Sequence, residues 1–419
     1  MRSAMTRTAV FLLLSFVLPA DAQVDEDRAQ RFFKEAQELW ERDGGRRWGV
    51  SLGAPMVIAD MRTQTLATSQ RAPEGARPRV LGLVNAPIEW GGVTWGAYMW
   101  DDVVNRTPRE RNELLLHELF HGVQSRLGLM VPTGATEHLD AADGRYWLRL
   151  EWRALAQALR ESGEQRNLAV RDALAFRQAR RTIYPANVEG ERAQEITEGL
   201  AAYTGTVLAA QTAADAIASA LDLLTNGEAG ESFVRTFAYM SGPAYGLLLD
   251  ESSPGWTRRV RATDDLATLV MRALAVQPAS DATAAAVRYG GAEIRASEQQ
   301  RKQQREERLA ELRRRFVDGP VLVFPGVGGT ASDSRGAVVI PGVGTVYFHR
   351  FRSSGEWGTL EAEKGVLVAS DGRTRRVPAP VRRDDGTVAG DGWTLKVGAG
   401  WLVREGTRGG DFEVVHQEP

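Results

Sequence analysis

His117, Glu118 and His121 stand in the stretch LLHELFHGVQ, residues 115–124, in the spacing H-E-x-x-H. On an α-helix, positions i and i+4 share a face one turn apart, so the two imidazoles lie side by side. Neutral imidazole suits Zn²⁺, which in catalytic sites takes three protein ligands and keeps one position open. Glu118 lies about 100° round the helix from His117. A carboxylate there can act as general base toward water held by the cation.

The spacing has this meaning only on a helix, and the flanking residues predict one. Thr107 fits the N-cap, Pro108 the first helical position, and Glu110 completes a capping box. Leu114, Leu115, Leu116, Leu119, Phe120 and Val123 supply an apolar surface, and Gly128 supplies a stop. A third ligand must come from elsewhere, because residue 127 is Leu where a longer histidine motif would need another His. His138 stands in a turn-rich stretch, and His349 and His416 lie far along the chain. Three carboxylates on predicted helices remain: Glu198, Glu195 one turn before it, and Glu151.

HELFH followed downstream by EGLAAY resembles the zincin metallopeptidases of the gluzincin type. The resemblance covers roughly residues 48–275. It implies Zn²⁺ held by His117, His121 and Glu198, with Glu118 as general base. It also implies a small sheet ahead of the motif helix, a mostly helical lobe behind it, and a peptide or protein substrate. In that picture the substrate pairs as a strand with the sheet edge, for which Gly92–Trp100 is the candidate. The outward histidine nitrogens want acceptors, and Glu151 and Asp143 are candidates. An oxyanion donor is sought among Tyr203, Tyr239 and Tyr245, with Tyr245 preferred.

Other elements are read from periodicity. Val24–Glu41 has helical spacing. Pro55–Ala59, Gln64–Thr68, Arg79–Val84 and Gly92–Trp100 are short β-like runs, with Trp90, Trp95 and Trp100 as packing residues. Helices are expected over Tyr146–Arg160, Leu168–Arg180, Glu189–Ala210, Thr212–Leu224, Ser232–Leu249 with a break at Gly242-Pro243, and Asp264–Val276. The charge-dense segment 295–318 predicts an exposed helical linker. From 319 to 419 short strands alternate with Gly- and Asp-rich turns, an all-β accessory domain. The fold class expected is α+β, with a zincin-like domain over 23–294.

The formal net charge of −2 gives no reason to expect a nucleic-acid partner. The absence of cysteine excludes disulfides and thiolate ligands. Arg2 and Arg7, the apolar run Ala9–Leu18 and the A-x-A site at Ala20–Ala22 read as a cleaved signal peptide over 1–22. An exported protein, periplasmic or secreted, without stable membrane insertion after cleavage, is the expectation. The resulting reading is an exported zinc metallopeptidase. The alternative is a non-proteolytic protein of the same fold that acts by binding through its β domain.

Overall fold

The computed structural model describes residues 23–75, 77–331, 337–348, 351–384 and 386–417. The expected leader over 1–22 and His349 lie outside them. The protein is α+β and divides into two units, Met1–Glu298 and Gln299–Pro419.

In the first unit, α1 (Glu26–Asp43) begins on Asp25, whose side chain accepts the Arg28 N–H at 2.9 Å. It buries Phe32, Phe33, Ala36 and Leu39 on one face. A four-stranded sheet comes next, formed by β1 (Met56–Asp60), β2 (Thr65–Thr68), β3 (Ala86–Trp90) and β4 (Val93–Met99) in the order β2-β1-β4-β3. β1 and β4 are parallel and the other pairs antiparallel. Side chains alternate as strand geometry requires. Met56, Ile58 and Tyr98 join the large helical core, while Val57, Ala59, Ile88, Trp95 and Ala97 form a second core on the opposite face. Trp90 and Trp95 pack in that second core, and Trp100 packs against Phe32 in the first.

Two sequence expectations need correction here. Arg79–Val84 forms turns, not a strand. Gly82 adopts φ 75 and lies so close to the chain after β1 that a Cβ would fall 2.7 Å from Met61 N. Ala86–Trp90, between two of the expected runs, is a strand even though it carries Pro87. It lies at the edge of the sheet, where a missing N–H is tolerated. The outer edge is therefore β3, and Gly92–Trp100 is not an edge: β4 is paired on both sides. Asn85 fastens the start of β3, donating to Asp102 at 2.7 Å and accepting the Met99 N–H at 2.8 Å.

The helical lobe comprises α2 (Trp100–Val104), α3 (Pro108–Gln124), α4 (Ala142–Arg160), α5 (Gly163–Ile183), α6 (Val188–Gln194), α7 (Leu200–Ala209), α8 (Ala213–Gly227), α9 (Phe237–Ser252), α10 (Leu266–Ala273), α11 (Ala282–Ala286) and α12 (Gly291–Arg313). The capping box at Thr107 and Glu110 is present on α3. The single helix expected over Glu189–Ala210 is interrupted. A π-turn, Glu195–Gly199, joins α6 to α7. The break expected at Gly242-Pro243 does not occur, and Pro243 sits inside α9. Gly242 is needed there for close approach, since a Cβ would fall 2.3 Å from Gly199 Cα on the π-turn. Against α3, the small residue that permits contact is Gly205 of α7, where a Cβ would meet Glu113 O at 2.4 Å.

The division between units falls within α12, the charged helix expected as a linker, which ends in a second wide turn at Arg314–Asp318. The second unit has a seven-stranded and a six-stranded sheet. Val321–Pro325 lies between Thr374–Pro378, antiparallel, and Phe412–His416, parallel. Leu322 and Phe324 from the larger sheet share a core with Phe351, Leu360, Trp393 and Leu395 from the smaller one. Gly344–Tyr347 belongs to the larger sheet and the next strand, Phe351–Gly355, to the smaller. Among the described residues no helix is long and apolar enough to cross a membrane.

Candidate metal centre

α3 buries His117 and Glu118 and leaves His121 partly exposed. One turn apart on the helix, the two rings sit edge to face with centroids 4.6 Å apart. Their Nε2 atoms are 2.9 Å apart. Glu198 on the π-turn completes a triangle: its Oε2 lies 3.4 Å from each of those nitrogens. Among the described residues this is the group of His, Asp and Glu side chains whose ligand atoms converge closely enough for a metal ion. A circle through the three atoms has a radius of about 1.9 Å, just inside the roughly 2.0–2.2 Å at which zinc takes such donors. Donor types and span both fit one zinc ion with one side open.

The electrostatics are set by burial and by Glu198. Burial drives the His117 imidazole down to about 4, with the His121 ring adding to the effect against the pull of Glu198. At His121 burial acts the same way but is outweighed by Glu198 and Glu118, so its affinity for a proton rises. Burial also opposes ionisation of Glu198, yet the two imidazoles and the Tyr239 hydroxyl beside it hold it well below the usual carboxylate range. Burial pushes Glu118 up to about 7, with the negative charge of Glu198 working in the same direction and His121 against it. Glu118 is 7% exposed, and its carboxylate has no hydrogen-bond partner among the described residues. A buried carboxylate left unbonded beside two histidines is free to exchange a proton.

Tyr239 stacks on His117 at 5.2 Å between centroids and donates its hydroxyl to Glu198 Oε2 at 2.7 Å. Burial and the neighbouring carboxylates hold its phenol well above the usual range, so it stays a neutral donor. Tyr245, preferred from the sequence, is a correction. Its wholly buried hydroxyl donates to Glu151 at 2.8 Å, away from the histidines. Tyr203 donates to Asp250 at 2.6 Å.

Glu151 and Glu195, the other third-ligand candidates, belong to a buried arginine network. Glu151 accepts from Arg177 at 2.9 Å and Arg180 at 2.6 Å. Glu195 accepts from Arg177 at 2.7 Å and from Ser241 at 2.8 Å. The wide π-turn rotates less per residue than an α-turn, so residues three apart no longer share a face, and Glu195 and Glu198 part company. Neither expected acceptor serves the outward histidine nitrogens. Glu151 is spent on the arginines, and Asp143 pairs with Arg295. His121 Nδ1 instead meets Gln124 Oε1 at 2.6 Å. Gln124 stands three residues after His121, on the same helical face, and that spacing is the signal in the sequence that points to it. His138 lies on Glu191 at 2.8 Å, and His416 packs on Trp401 in the second unit.

The edge strand β3 runs beside this site. A Cβ on Gly122, next to His121, would lie 4.0 Å from Pro87 of β3 and 3.7 Å from Thr94 of β4. Comparison with family models, with curated proteins and with solved structures returned no match.

Proposed function

We propose that the protein is a zinc-dependent metallopeptidase of the gluzincin type, with His117, His121 and Glu198 as the ligands. The observation that carries the reading is the convergence of the two Nε2 atoms and Glu198 Oε2 on one point, with Glu118 beside them. Zinc bound there would polarise a scissile carbonyl and acidify water. Glu118 would take the proton that the attacking water gives up and return it to the leaving amine. Tyr239, already a neutral donor turned toward the ligand set, is the residue suited to the oxyanion, in place of Tyr245. β3 has no strand partner on its outer side among the described residues, so an extended peptide can add to the sheet there. Export belongs to the same reading, supported by the basic and apolar N-terminal pattern, and N-terminal sequencing of the mature protein checks it.

The test is cleavage of a mixed peptide library by the purified full chain loaded with zinc, against Glu118→Gln under the same conditions. Cleavage by the wild type and its loss in the variant are expected. Equal activity in both, or none in either, overturns the peptidase reading and favours binding through the β unit.

A further inference from the structure

Gln124 is wholly buried, and its amide touches two elements at once. Its Nε2 lies 2.8 Å from Thr197 O and 3.3 Å from Ile196 O, both on the π-turn, while its Oε1 lies 2.6 Å from His121 Nδ1. Backbone carbonyls only accept hydrogen bonds, so the NH₂ end must face the π-turn. Turned over, the amide would set Oε1 against two carbonyl oxygens with no hydrogen to share. The oxygen end then faces His121, and the ring nitrogen opposite it must carry the hydrogen. That leaves the lone pair of the neutral ring on Nε2, the atom turned toward His117 Nε2 and Glu198 Oε2.

The other end of the amide matters as much. In the π-turn the Leu200 N–H reaches back to Glu195 O, one residue further than an α-helix allows. Such turns leave carbonyls out of line with their usual donors and persist where a side chain inserts into the ladder. The two carbonyls that Gln124 takes are those of Ile196 and Thr197, immediately before Glu198. Closing the turn to an α-helix would change the rotation between Glu195 and Glu198, carrying Glu198 off the histidines.

We infer that Gln124 is a positioning residue that assembles the ligand set from both sides: one amide fixes which nitrogen of His121 bears the lone pair and holds the π-turn that aims Glu198 at it. The inference rests on the reading of these residues as a metal centre, and its test is separable from that reading.

Imidazole ¹⁵N–¹H correlation on the metal-free full chain, at a pH where the rings are neutral, reads the tautomer without any metal. Wild type should show His121 protonated on Nδ1. Gln124→Glu, which keeps an acceptor, should preserve that form, and Gln124→Leu should lose it. Zinc affinity, measured by chelator competition on variants shown to be folded by cooperative urea unfolding, should fall about 10–100-fold in Gln124→Leu. It should fall in Gln124→Glu as well, because a carboxylate cannot donate to Ile196 O and Thr197 O. Wild-type His121 protonated on Nε2 overturns the inference even if no variant folds, and so does unchanged zinc affinity in folded Gln124→Leu. Failure of the wild type to bind zinc or cleave peptides would instead sink the proposed function, and the tautomer would still decide what Gln124 does.

Discussion

Glu195 and Glu198 leave the same π-turn toward two differently built clusters. Glu195 enters a network of Glu151, Glu191 and Asp265 with Arg177, Arg180 and Arg181, in which every carboxylate meets at least one guanidinium. Glu198 meets two histidines and a tyrosine hydroxyl, with the unbonded Glu118 close by. In the first cluster four carboxylates share three guanidiniums, and each is held by at least one charged hydrogen bond that the chain itself supplies, which is what a structural network requires. The second gathers electron-rich atoms, and among the described residues no guanidinium or ammonium pairs with them, which costs stability unless a cation is shared. Two sets of carboxylates are thus told apart by whether the chain itself supplies them with guanidinium partners, and functional sites are where such local rules are broken.

Glu118→Gln draws the contrast most sharply. Turnover should fall about 10²–10⁴-fold, while urea unfolding stays close to wild type, because the residue has no protein bond to lose. A large loss of stability with turnover intact would reverse the assignment. In the arginine network the expectation inverts. Glu151→Ala leaves two buried guanidiniums short of an acceptor and should destabilise the first unit by about 3–5 kcal/mol. Glu198→Ala, compared under chelation, should cost much less. Similar losses for both in urea titrations would erase the distinction.

The two tyrosines divide along the same line. Tyr239→Phe should lower turnover about 10²-fold with little change in stability. Tyr245→Phe should leave turnover unchanged and cost about 1–3 kcal/mol of stability, since Glu151 loses a donor. Steady-state kinetics beside denaturation on the two variants decides it. A smaller effect is expected with pH. Burial disfavours ionisation of Glu151, Glu191 and Asp265, but the arginines outweigh it and hold all three below their usual values of 4.5, 4.5 and 3.8. Groups with depressed folded values contribute fully above the unfolded ones and lose that contribution as pH falls through and below them. Stability should therefore decline once pH drops below about 4.5, and Asp265→Asn should decline less steeply than wild type. An identical acid slope in both would show that Asp265 does not take part.

Much of the candidate site was legible because it is local. The H-E-x-x-H spacing and the Thr107 capping box fix a helix and a face within seventeen residues, Pro108–Gln124. Glu198 required a long-range partner and came from a resemblance in EGLAAY, not from periodicity. The π-turn was illegible, since nothing in EITEG distinguishes five residues of wide turn from α-helix until Gly199 packs on Gly242 and Gln124 reaches the carbonyls. Tyr239 and Tyr245 lie six apart on one apolar helix, and only the packing of α9 sends one to Glu198 and the other to Glu151. The edge of the small sheet was misplaced because Pro87 reads as a breaker, whereas an edge strand tolerates it.

Zinc uptake by the full chain tests the central claim most directly. After chelation and reloading, elemental analysis should find close to one zinc per wild-type chain and close to none in Glu198→Ala and His117→Ala at the same free zinc. A wild type that takes up no zinc, or variants that take up as much as the wild type, would contradict the account.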